Sequence, residues 1–564
     1  MSHLDQIDAA PESLRWPLVR GLMRDDPLGL YAELRAYRPV LVLPEVTLAV
    51  RHSDCTQILS RHDLFSVAPY RAKQGDYWMA QDDTARHWRE KSVMRAILDV
   101  ETVPDIRAFA EAETARRLDA AAGGTLDLVA AITRGVPIAV VAQFFGLTGA
   151  DPAEMCDWSY WNQMDAFWNQ PFDDPRFASP AEIIARREAA NAAMRDYLIA
   201  LVRERAAALQ AGQVGPDMIS RLLILAGSGA VRLDLPLVVL NAGGLLIGAV
   251  ETTSHAVVNA LTVLAADKAR LAAAMAAANS DDPSAIDGFV FEALRFRPAF
   301  PYFFRRAEAD TVLAQGTDHE TRVPRGTMVL AVTHSAMFDP MAQATPERFD
   351  PRRGAGATFT FGYGLHECLG RNVGAALIPA IVRAVLRRDG ARPGPVDYRN
   401  GPVPEAWPWQ IPPGCTDDTP APQGDTMDDG LIVTSPTADL EQALADIPSD
   451  TAFRVVNFLK FHPVARYPEG YDGPPVSGAE AYWGLYIAGM APIVREAGAR
   501  LVHRSKAFGT IAGLPGEEWD EVAIFEWPDV AAMIRMSQHP TFIELSIHRI
   551  AATQNMRMVP MSIA

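Results

Sequence analysis

The sequence predicts a large, mainly α-helical domain with small β-sheets, followed by a smaller α+β domain. Apolar side chains recur at three- and four-residue spacing through most of residues 27–388, which is the period of amphipathic helices. Proline and glycine accumulate from residue 390 to residue 424, and a mixed pattern of strands and helices follows. A chain of 564 residues is also too long for one simple core, so two domains are expected.

The first domain is expected to span residues 1–413 and to consist mostly of long helices. Short runs with β-propensity, at residues 40–50 and 327–332, indicate small sheets between the helices. The helices with the clearest apolar period are predicted at residues 106–122, 180–209, 235–266, 285–296 and 371–387.

The second domain is expected to follow an acidic, proline-rich linker at residues 414–430, which has no apolar period. Its order of elements, strand–helix–strand–strand–helix within residues 431–564, is typical of a small α+β domain of the ferredoxin-like type. The strands are predicted at residues 453–461, 500–511 and 521–527, and the helices at residues 478–497 and 529–536.

Composition and charge indicate a soluble globular protein without a nucleic-acid or membrane partner. Hydrophobic residues make up 49% of the chain and charged residues 21%, which is ordinary for such a protein. The formal net charge of −17 argues against binding to nucleic acid or to an anionic membrane surface. The first residues contain Asp5, Asp8 and Glu12 and no long apolar run, so neither a signal peptide nor a membrane anchor is expected. Four widely separated cysteines form no disulfide framework, which predicts a cytoplasmic protein.

One cysteine lies in a glycine-rich loop directly before a predicted helix, in the segment FGYGLHECLG at residues 361–370. Glycine lets a backbone adopt positive φ and approach a ligand closely. The N–H groups of such a loop and of the following helix stabilise a thiolate. A single thiolate presented in this way to a flat ligand is what a haem iron with an axial cysteine requires. Cys55, Cys156 and Cys415 have no such setting and are expected to be inert.

This loop resembles the haem-binding signature of the cytochrome P450 family, with the order F-G-x-G-x-H-x-C-x-G complete over ten positions. The resemblance extends over about residues 20–413 and implies the mainly helical P450 fold and a haem b cofactor. It also implies that Cys368 is the axial ligand of the haem iron. Phe361, Gly362 and Gly370 are then part of the loop that binds the cofactor.

A second motif of the family is the pair Glu292 and Arg295, which lie on one face of a predicted helix among apolar neighbours. A surface pair contributes little to stability, but a buried pair needs further hydrogen-bond partners. In P450s this pair joins an arginine from a later P-E-R-F segment, which matches residues 346–349 here. The resemblance therefore implies a structural cluster of Glu292, Arg295 and Arg348 beneath the cysteine loop.

A third motif places an acid and an alcohol side by side, Glu251 and Thr252, inside the apolar helix predicted at residues 235–266. Polar groups are unfavourable to bury there unless they cap a turn, bind water or serve chemistry. The motif resembles the oxygen-activation motif of P450s, with glutamate in place of the commoner aspartate. The resemblance implies that Thr252 hydrogen-bonds dioxygen during its activation, while Glu251 relays protons from solvent through water. Gly248, one turn earlier, leaves room for dioxygen.

The two propionates of a haem need cationic or hydrogen-bonding partners. Four residues resemble the family's propionate-binding positions. His87 and Lys91 are two of them, although Lys91 stands where arginine is commoner. Arg305 resembles a later arginine of the family, with Arg306 as a competing register, and His366 precedes the cysteine by two residues.

The resemblance implies a haem-thiolate monooxygenase that uses O2 to hydroxylate or O-dealkylate a small hydrophobic or aromatic substrate. Aromatic residues cluster at residues 158–172, and they either line the substrate pocket or pack in the core. Flavin, iron–sulfur and dinucleotide signatures are missing from the sequence, so electrons are expected from a ferredoxin and its NAD(P)H-dependent reductase. Arg352, Arg353 and Arg371 are the expected basic docking patch.

Two alternatives to this function stay open. One is an H2O2-driven peroxygenase or a rearrangement enzyme that uses the same haem without an electron donor, against which the acid–alcohol pair argues. The other, of a different class, is a non-catalytic haem sensor with the C-terminal domain as its effector. That domain resembles small dimeric α+β-barrel domains of uncharacterised function, at residues 455–461, 480–482, 498–500 and 526–529. The resemblance favours a homodimer through this domain over a second catalytic site.

Overall fold

The chain divides into two compact units, Met1–Gly414 and Cys415–Ala564. The predicted linker at residues 414–430 lies outside the described residues, as do residues 431–443 of the predicted second domain. The computed structural model describes residues 2–74, 77–82, 84–98, 100–173, 178–213, 215–229, 231, 233–353, 356, 358–398, 403–412, 444, 447–448, 450–467, 471, 473, 475–507 and 519–563.

Helices form most of the first unit, and the long ones begin and end close to where the apolar period predicts. The helices are α1 (His3–Ala9), α2 (Glu12–Asp25), α3 (Pro27–Tyr37), α4 (His52–Ser60), α5 (Ala68–Gln74), α6 (Thr84–Ile97), α7 (Val103–Ala120), α8 (Val129–Phe145), α9 (Pro152–Trp168), α10 (Pro180–Gln210), α11 (Met218–Gly227), α12 (Leu235–Ala249), α13 (Glu251–Ala265), α14 (Lys268–Ala278), α15 (Asp287–Phe296), α16 (Thr333–Ala336) and α17 (Arg371–Leu386). Short 3-10 turns lie between some of them. In α8, an α-helical turn at Gly135–Val140 lies between two π-helical segments.

Short strands build small sheets in this unit, as predicted. The strands are β1 (Val40–Val42), β2 (Thr47–Ala49), β3 (Phe65–Ser66), β4 (Thr125–Asp127), β5 (Phe303–Ala307), β6 (Thr311–Leu313), β7 (Thr321–Val323), β8 (Met328–Ala331), β9 (Arg392–Pro393) and β10 (Pro408–Gln410). The largest sheet has the order β1-β2-β8-β5-β3, in which β2 and β8 are parallel and the other pairs are antiparallel. A smaller sheet has the order β4-β10-β9, and β6 pairs with β7.

The helix predicted at residues 235–266 is divided in the structure. α12 and α13 meet at Val250, whose ψ of −72° departs from regular helix geometry, so the expectation of one unbroken helix is wrong. By length and composition alone, Leu235–Ala265 is the one stretch of the described residues apolar enough to span a membrane, and 44% of its apolar window is buried in the protein. Both parts of this stretch contribute residues to the hydrophobic core, and Asn241 within it accepts a hydrogen bond from the buried Trp78 at 2.7 Å.

The hydrophobic core of the first unit surrounds α13. This helix packs against α8, α15 and α17. Apolar residues of α15, including Val290, Phe291 and Leu294, are buried on the side that meets α13. The predicted cysteine loop ends directly at α17, so the packing of α17 on α13 positions the loop relative to the divided helix.

The second unit contains a four-stranded antiparallel sheet with helices in both crossovers. Its elements are β11 (Phe453–Phe461), α18 (residues 478–496), β12 (Arg500–Lys506), β13 (Glu521–Trp527), α19 (Val530–Ser537), α20 (Pro540–Ala552) and β14 (Thr553–Ser562). The strand order in the sheet is β12-β13-β11-β14. The predicted strands and helices of this region are present, with β12 described as far as Lys506.

Strand β14 and helix α20 are missing from the sequence prediction. β14 is rich in methionine and contains Pro560, which cannot donate a ladder hydrogen bond and argues against a strand. In the structure β14 pairs with β11 alone, at the edge of the sheet. An edge position tolerates proline because one side of the strand has no partner within the sheet.

Candidate active site

The turns of the cysteine loop depend on two glycines with positive φ. Gly362 and Gly364 have φ values of +74° and +73°, which side chains rarely adopt. A Cβ atom at Gly364 would also lie 2.6 Å from the carbonyl oxygen of Leu59. The N–H of Cys368 donates to the carbonyl oxygen of Phe361 at 2.8 Å, which closes the loop. Glycine is therefore required by the backbone at residues 362 and 364.

The thiol of Cys368 lies in a recess of the protein. The side chain keeps an exposed surface, yet burial among surrounding atoms raises the pKa of the thiol. A hydrogen bond from the backbone of Gly370 and the positive charges of Lys91 and Arg371 oppose this rise. Gly370 has φ −83° and directly precedes α17, so its backbone does not require glycine. A thiol held among such donors ionises when a metal ion shares its charge.

His87 and Lys91, both on α6, hold the cysteine loop by its backbone. Nε2 of His87 lies 3.0 Å from the carbonyl oxygen of Leu365. Nζ of Lys91 donates to the carbonyl oxygens of Leu365 at 2.6 Å and of Glu367 at 2.7 Å. Both side chains are buried, and burial lowers the pKa of Lys91 to about 8. The structure thus places Lys91 as a brace of the loop, which differs from the expected contact with a propionate.

Three of the predicted propionate ligands come together beside this loop. The rings of His87 and His366 meet edge to face at 4.8 Å. The Nδ1 atom of each ring is buried and has no hydrogen-bond partner among the described residues. Nε2 of His366 lies 3.1 Å from a carboxylate oxygen of Asp82. Arg305 is buried on β5 and interacts electrostatically with Asp82. His87, His366 and Arg305 therefore form one cluster with Asp82.

The competing register at Arg305 and Arg306 is resolved by the alternation of β5. Arg305 is buried, donates to the carbonyl oxygen of Phe304 at 2.8 Å and lies 6.0 Å from the ring centre of Tyr70. Burial lowers the pKa of Arg305. Arg306 points to the exposed side, where it pairs with Glu308 at 2.7 Å. Arg305 is therefore the arginine on the side of the two histidines.

The Glu292–Arg295 pair is buried, as the apolar neighbours predict. Arg295 donates to both carboxylate oxygens of Glu292, at 2.9 and 2.7 Å, and to the backbone carbonyl of Arg348 at 3.3 Å. The expectation for the Arg348 side chain is wrong: it is exposed, and within the described part of the chain Arg348 joins the cluster through its carbonyl oxygen. The third charged member is Arg353, whose Nε lies 3.4 Å from Glu292 Oε1 and whose side chain is 12% exposed. The backbone N–H of Asp350 completes the set at 2.9 Å.

Thr252 lies beside the interruption of the core helix. Its hydroxyl donates to the carbonyl oxygen of Gly248 at 2.6 Å, four residues earlier and across Val250. In an unbroken helix the backbone N–H of Thr252 would donate to this carbonyl as well, since a threonine hydroxyl can bond the carbonyl four residues earlier in regular helix, as Thr262 does to Val258. A Cβ atom at Gly248 would meet no atom within 4 Å, so the helix faces open space at this turn. Thr252 is half-buried at the edge of this space.

Glu251 is buried in the first turn of α13, where the helix dipole favours an acid. Arg134 of α8 contacts both carboxylate oxygens, with Nε 2.7 Å from Oε1 and Nη2 3.0 Å from Oε2. The shorter contact is an ion pair whose angle is not that of a hydrogen bond. Burial raises the pKa of Glu251, and Arg134 opposes this rise. The acid is therefore held by a cation and is not exposed to bulk solvent.

The predicted aromatic cluster divides into a buried group and a half-buried group. Trp158, Tyr160 and Phe172 are at least nine-tenths buried and pack in the core. Phe167 and Trp168, at the end of α9, are half-buried. Sequence position alone could not separate these two groups, because both follow the same helical period.

Three functional contacts were not predicted from the sequence: those of Arg134, Asp82 and Arg353. Arg134 and Glu251 are 117 residues apart, so no local spacing joins them. A signal for Arg134 did exist, because it is a lone charge in the apolar stretch Val129–Phe145. No comparable signal marks Asp82 or Arg353 in the sequence.

Comparison with known proteins gives one consistent family. The family model described as cytochrome P450 matches residues 284–388. Erythromycin C-12 hydroxylase of Saccharopolyspora erythraea is 31% identical over 326 residues, which cover 57% of this chain and 76% of that protein. Cytochrome P450 monooxygenase PikC of Streptomyces venezuelae is 28% identical over 64% of this chain and 84% of its own. The ligand-free structure of cytochrome P450 TbtJ1 superposes with a TM-score of 0.58 at 25% identity, over 69% of this chain and 98% of that chain.

The chain belongs to the cytochrome P450 family and is a haem-dependent oxygenase. The first unit has the P450 fold, mainly helical with small sheets. The side chains described above fit the haem b cofactor of this family. Cys368 offers one sulfur ligand for iron, and the buried guanidinium of Arg305, beside His87 and His366, offers the donors that the carboxylates of a haem require.

Proposed function

We propose that this chain is a haem-thiolate monooxygenase in which Cys368 is the axial ligand of the iron, while Glu251 and Thr252 supply protons for O2 activation. The interruption of the core helix at Val250 carries the proposal. Beside it, the Thr252 hydroxyl donates to the Gly248 carbonyl oxygen at 2.6 Å, and the adjacent Glu251 is buried. A bound haem with a thiolate ligand activates O2 and transfers one oxygen atom to a substrate.

The remaining proposed roles concern binding and orientation. His87, His366 and Arg305 bind the haem carboxylates, because they are the imidazole and guanidinium groups gathered beside the cysteine loop. Gly248 leaves space for O2, since its open side has no neighbour within 4 Å. The loop residues with cofactor-binding roles are Phe361, Gly362 and Gly370.

The proposed substrate is a small hydrophobic or aromatic molecule that is hydroxylated or O-dealkylated. Half-buried aromatic rings support this proposal. Phe300 stacks on Trp168 with centroids 5.8 Å apart and an interplanar angle of 9°, and it lies 4.8 Å from Phe167. His255 lies 6.3 Å from Trp168 and three residues after Thr252 on α13, which places it on the same helix face. An aromatic wall beside Thr252 favours a planar, apolar substrate.

The proposed electron donors are a ferredoxin and its NAD(P)H-dependent reductase, as in bacterial members of the family, and both donors are expected in the cytoplasm. Arg371 and Arg352 support a docking surface near the cysteine loop because both side chains are exposed, at 45% and 80%. They pair with Glu367 and Asp350, so their positive charge is partly compensated. Arg353 is withdrawn from the predicted patch because it lies against Glu292.

The test of this function begins with the spectrum of the purified protein. The reduced, CO-bound form should show the red-shifted Soret band of thiolate ligation. A substrate found by its low- to high-spin shift should then be converted with ferredoxin, reductase, NAD(P)H and O2. Turnover with H2O2 alone would instead identify a peroxygenase. A spectrum with haem but no oxygen-dependent product from any spin-shifting compound would favour the haem sensor.

The second unit is proposed to be a ferredoxin-like domain that forms a homodimer. The sheet order β12-β13-β11-β14, with one helical crossover after β11 and one after β13, supports the fold. The helices pack on one face of the sheet, through residues such as Phe453 and Phe525. The opposite face carries a row of apolar side chains outside that core. They are Val456, Phe458, Val522, Ile524, Val559 and Met561.

An apolar sheet face of this kind is covered in a stable assembly, and a second copy of the chain fits because the face would pair with itself about a two-fold axis. Val559 is 44% exposed at one side of this face. We expect Val559→Asp to convert a dimer to a monomer in sedimentation of the full chain. Val464→Asp is the matched control, because Val464 is 58% exposed in the same unit but lies outside the sheet. A monomeric parent protein would rule out the homodimer.

A further inference from the structure

A cavity of about 310 Å3 lies beside α13, on the flank of the core helix where Glu251 is held. Its walls come from α8, α9, the start of α10 and the segment that contains Glu405. Glu251 is only 5% exposed, yet it is one of the residues that line the cavity. This cavity therefore gives the buried acid of the acid–alcohol pair a contact with space large enough for several water molecules.

Within the cavity, Arg134 lies between two carboxylates. Its contacts with Glu251 are 2.7 and 3.0 Å, and its Nη2 lies 3.9 Å from Oε2 of Glu405. Its guanidinium also rests 5.3 Å from the ring centre of Tyr160. The hydroxyl of Tyr160 donates to the other oxygen of Glu405 at 2.7 Å. Tyr160 thus fixes Glu405 at the distance from which it can share the charge of Arg134.

The cavity is also lined by Glu182, Arg186, Asp157 and Cys156, which are charged or titratable groups. Arg186 pairs with Glu182 at 3.0 Å and lies 4.7 Å from the ring centre of Trp161. Asp157 raises the pKa of Glu251, as Glu405 does. Cys156 also faces Glu251, and burial raises the pKa of its thiol to about 11. Cys156 therefore carries its proton at neutral pH, and the charge near Glu251 is set by the carboxylates and Arg134.

We infer that this cavity is the proton-entry site for Glu251, and that Glu405 and Tyr160 are positioning residues which act on Glu251 through Arg134. Glu251 accepts a proton only when its carboxylate is released from Arg134, because the ion pair favours the ionised form. Glu405 lies close enough to take over the guanidinium. A hydronium ion in the cavity then becomes water as its proton passes to Glu251, which gives the proton on toward Thr252.

The inference deepens the proposed monooxygenase function and rests on it. Its alternative is a purely structural ion pair that joins α8 to α13. A structural pair of this kind would have no need of a second carboxylate opposite the same guanidinium. It would also give no reason for a polar cavity to reach the one buried acid beside Thr252. The two interpretations differ in what removal of the Glu405 charge does to the protonation of Glu251.

The test compares Glu405→Gln with Glu182→Gln in the full-length haem-loaded protein. Both variants remove one carboxylate from the cavity, but only Glu405 faces Arg134. Direct substitution of Arg134 is avoided because it would leave a buried, unpaired acid. The first measurement is infrared titration of the protonated carboxyl band, assigned by its loss in Glu251→Gln. We expect this band to appear at lower pH in Glu405→Gln than in the parent, and at the parent pH in Glu182→Gln.

The second measurement is product formed per NAD(P)H consumed, with its solvent isotope effect. In Glu405→Gln we expect the yield to fall roughly tenfold, less than the 100-fold typical for outright loss of a proton donor. We also expect a larger solvent isotope effect. Tyr160→Phe should change both quantities in the same direction, and Glu182→Gln should change neither. Equal behaviour of Glu405→Gln and Glu182→Gln in an active enzyme overturns the inference, whereas a parent that forms no product overturns the proposed function itself.

Discussion

Arg295 donates two hydrogen bonds to Glu292 inside the core, at 2.9 and 2.7 Å, and the two side chains are 0% and 1% exposed. Removal of such groups from water is unfavourable, and the pair is tolerated because further hydrogen bonds from the backbone satisfy both side chains. Carbonyl oxygens of Met337 and Arg348 accept from Arg295, and the N–H of Asp350 donates to Glu292. The pair thus ties α15 to the segment that precedes the cysteine loop.

Loss of the Glu292 carboxylate should destabilise the whole first unit. Glu292→Ala leaves the Arg295 guanidinium buried without its counter-charge, which costs about 3–5 kcal/mol. We expect the urea midpoint of unfolding to fall accordingly, and haem to be retained poorly at moderate temperature. Glu188→Ala is the control, since Glu188 is 64% exposed on α10. Equal unfolding midpoints for the two variants would contradict the structural role of the pair.

Arg353 and Arg348 should differ in their contributions to stability. Arg353 lies 3.4 Å from Glu292 and is 12% exposed, whereas the Arg348 side chain is exposed and supplies only its carbonyl. We expect Arg353→Ala to lower the free energy of unfolding by roughly 1–3 kcal/mol, because it removes the ion pair with Glu292 and the hydrogen bond to the carbonyl oxygen of Thr345. Arg348→Ala should change it by less than about 0.5 kcal/mol. If urea unfolding shows a larger loss of stability for Arg348→Ala than for Arg353→Ala, then Arg348 is the third charged member of the cluster, as the sequence motif indicates.

The reversal at these two arginines shows what the sequence could and could not predict. A motif names a position, and backbone geometry made Gly362 and Gly364 predictable because positive φ needs glycine. Which side chain reaches a buried charge depends on how a loop turns, and local spacing does not determine this for Arg348 and Arg353.

The same limit applies to the divided helix. The apolar period continues through Val250, so the sequence indicates one helix, and the break is visible only in the backbone angles. The ion pair between Arg134 and Glu251 spans 117 residues and arises from tertiary packing. The residues that predict the cysteine loop, by contrast, all lie within ten consecutive positions of the sequence.

Lys91 should be needed for the cysteine loop more than for charge balance. Its ammonium donates to the carbonyl oxygens of Leu365 and Glu367, and Lys91→Met leaves both without this donor. The Leu365 carbonyl keeps its contact with His87, whereas the Glu367 carbonyl loses the Lys91 donor. An unsatisfied buried polar group costs roughly 1–3 kcal/mol, so we expect faster haem loss to apomyoglobin and a weaker CO Soret band. Arg89→Met on the same helix is the matched control, because Arg89 is 54% exposed. Equal rates of haem transfer from the two variants would mean that Lys91 does not stabilise the cysteine loop.

Thr252 should affect the efficiency of oxygen use more than haem binding. Thr252→Ala removes the hydroxyl that donates to Gly248, and with it the proposed proton relay. We expect product formation to fall by roughly 100-fold while NAD(P)H is still consumed, and the CO spectrum should be unchanged. Thr262→Ala is the matched control, since the Thr262 hydroxyl makes the same kind of bond, to Val258 at 2.7 Å on the same helix. If both variants couple NAD(P)H to product like the parent, Thr252 has no part in proton delivery.

Asp173 should make the stability of the protein depend on pH near neutrality. Burial raises the pKa of Asp173 from 3.8 to about 7, against the backbone N–H of Gln170 and the charge of Arg20. Between these two values the unfolded chain has released the proton while the folded chain still holds it. A rise in pH through this window therefore stabilises the unfolded state, and the contribution of Asp173 is complete below pH 3.8 and lost as pH rises through about 7.

Asp173→Asn removes the titration, so its melting temperature relative to the parent should increase from pH 4 to about pH 7 and stay level above it. Calorimetry in matched buffers measures this difference directly. Asp196→Asn, at a position 76% exposed on α10, should follow the parent at every pH. A difference between Asp173→Asn and the parent that is constant over the whole range would mean that the Asp173 carboxyl titrates alike in the folded and unfolded chains, and that its burial carries no penalty for ionisation.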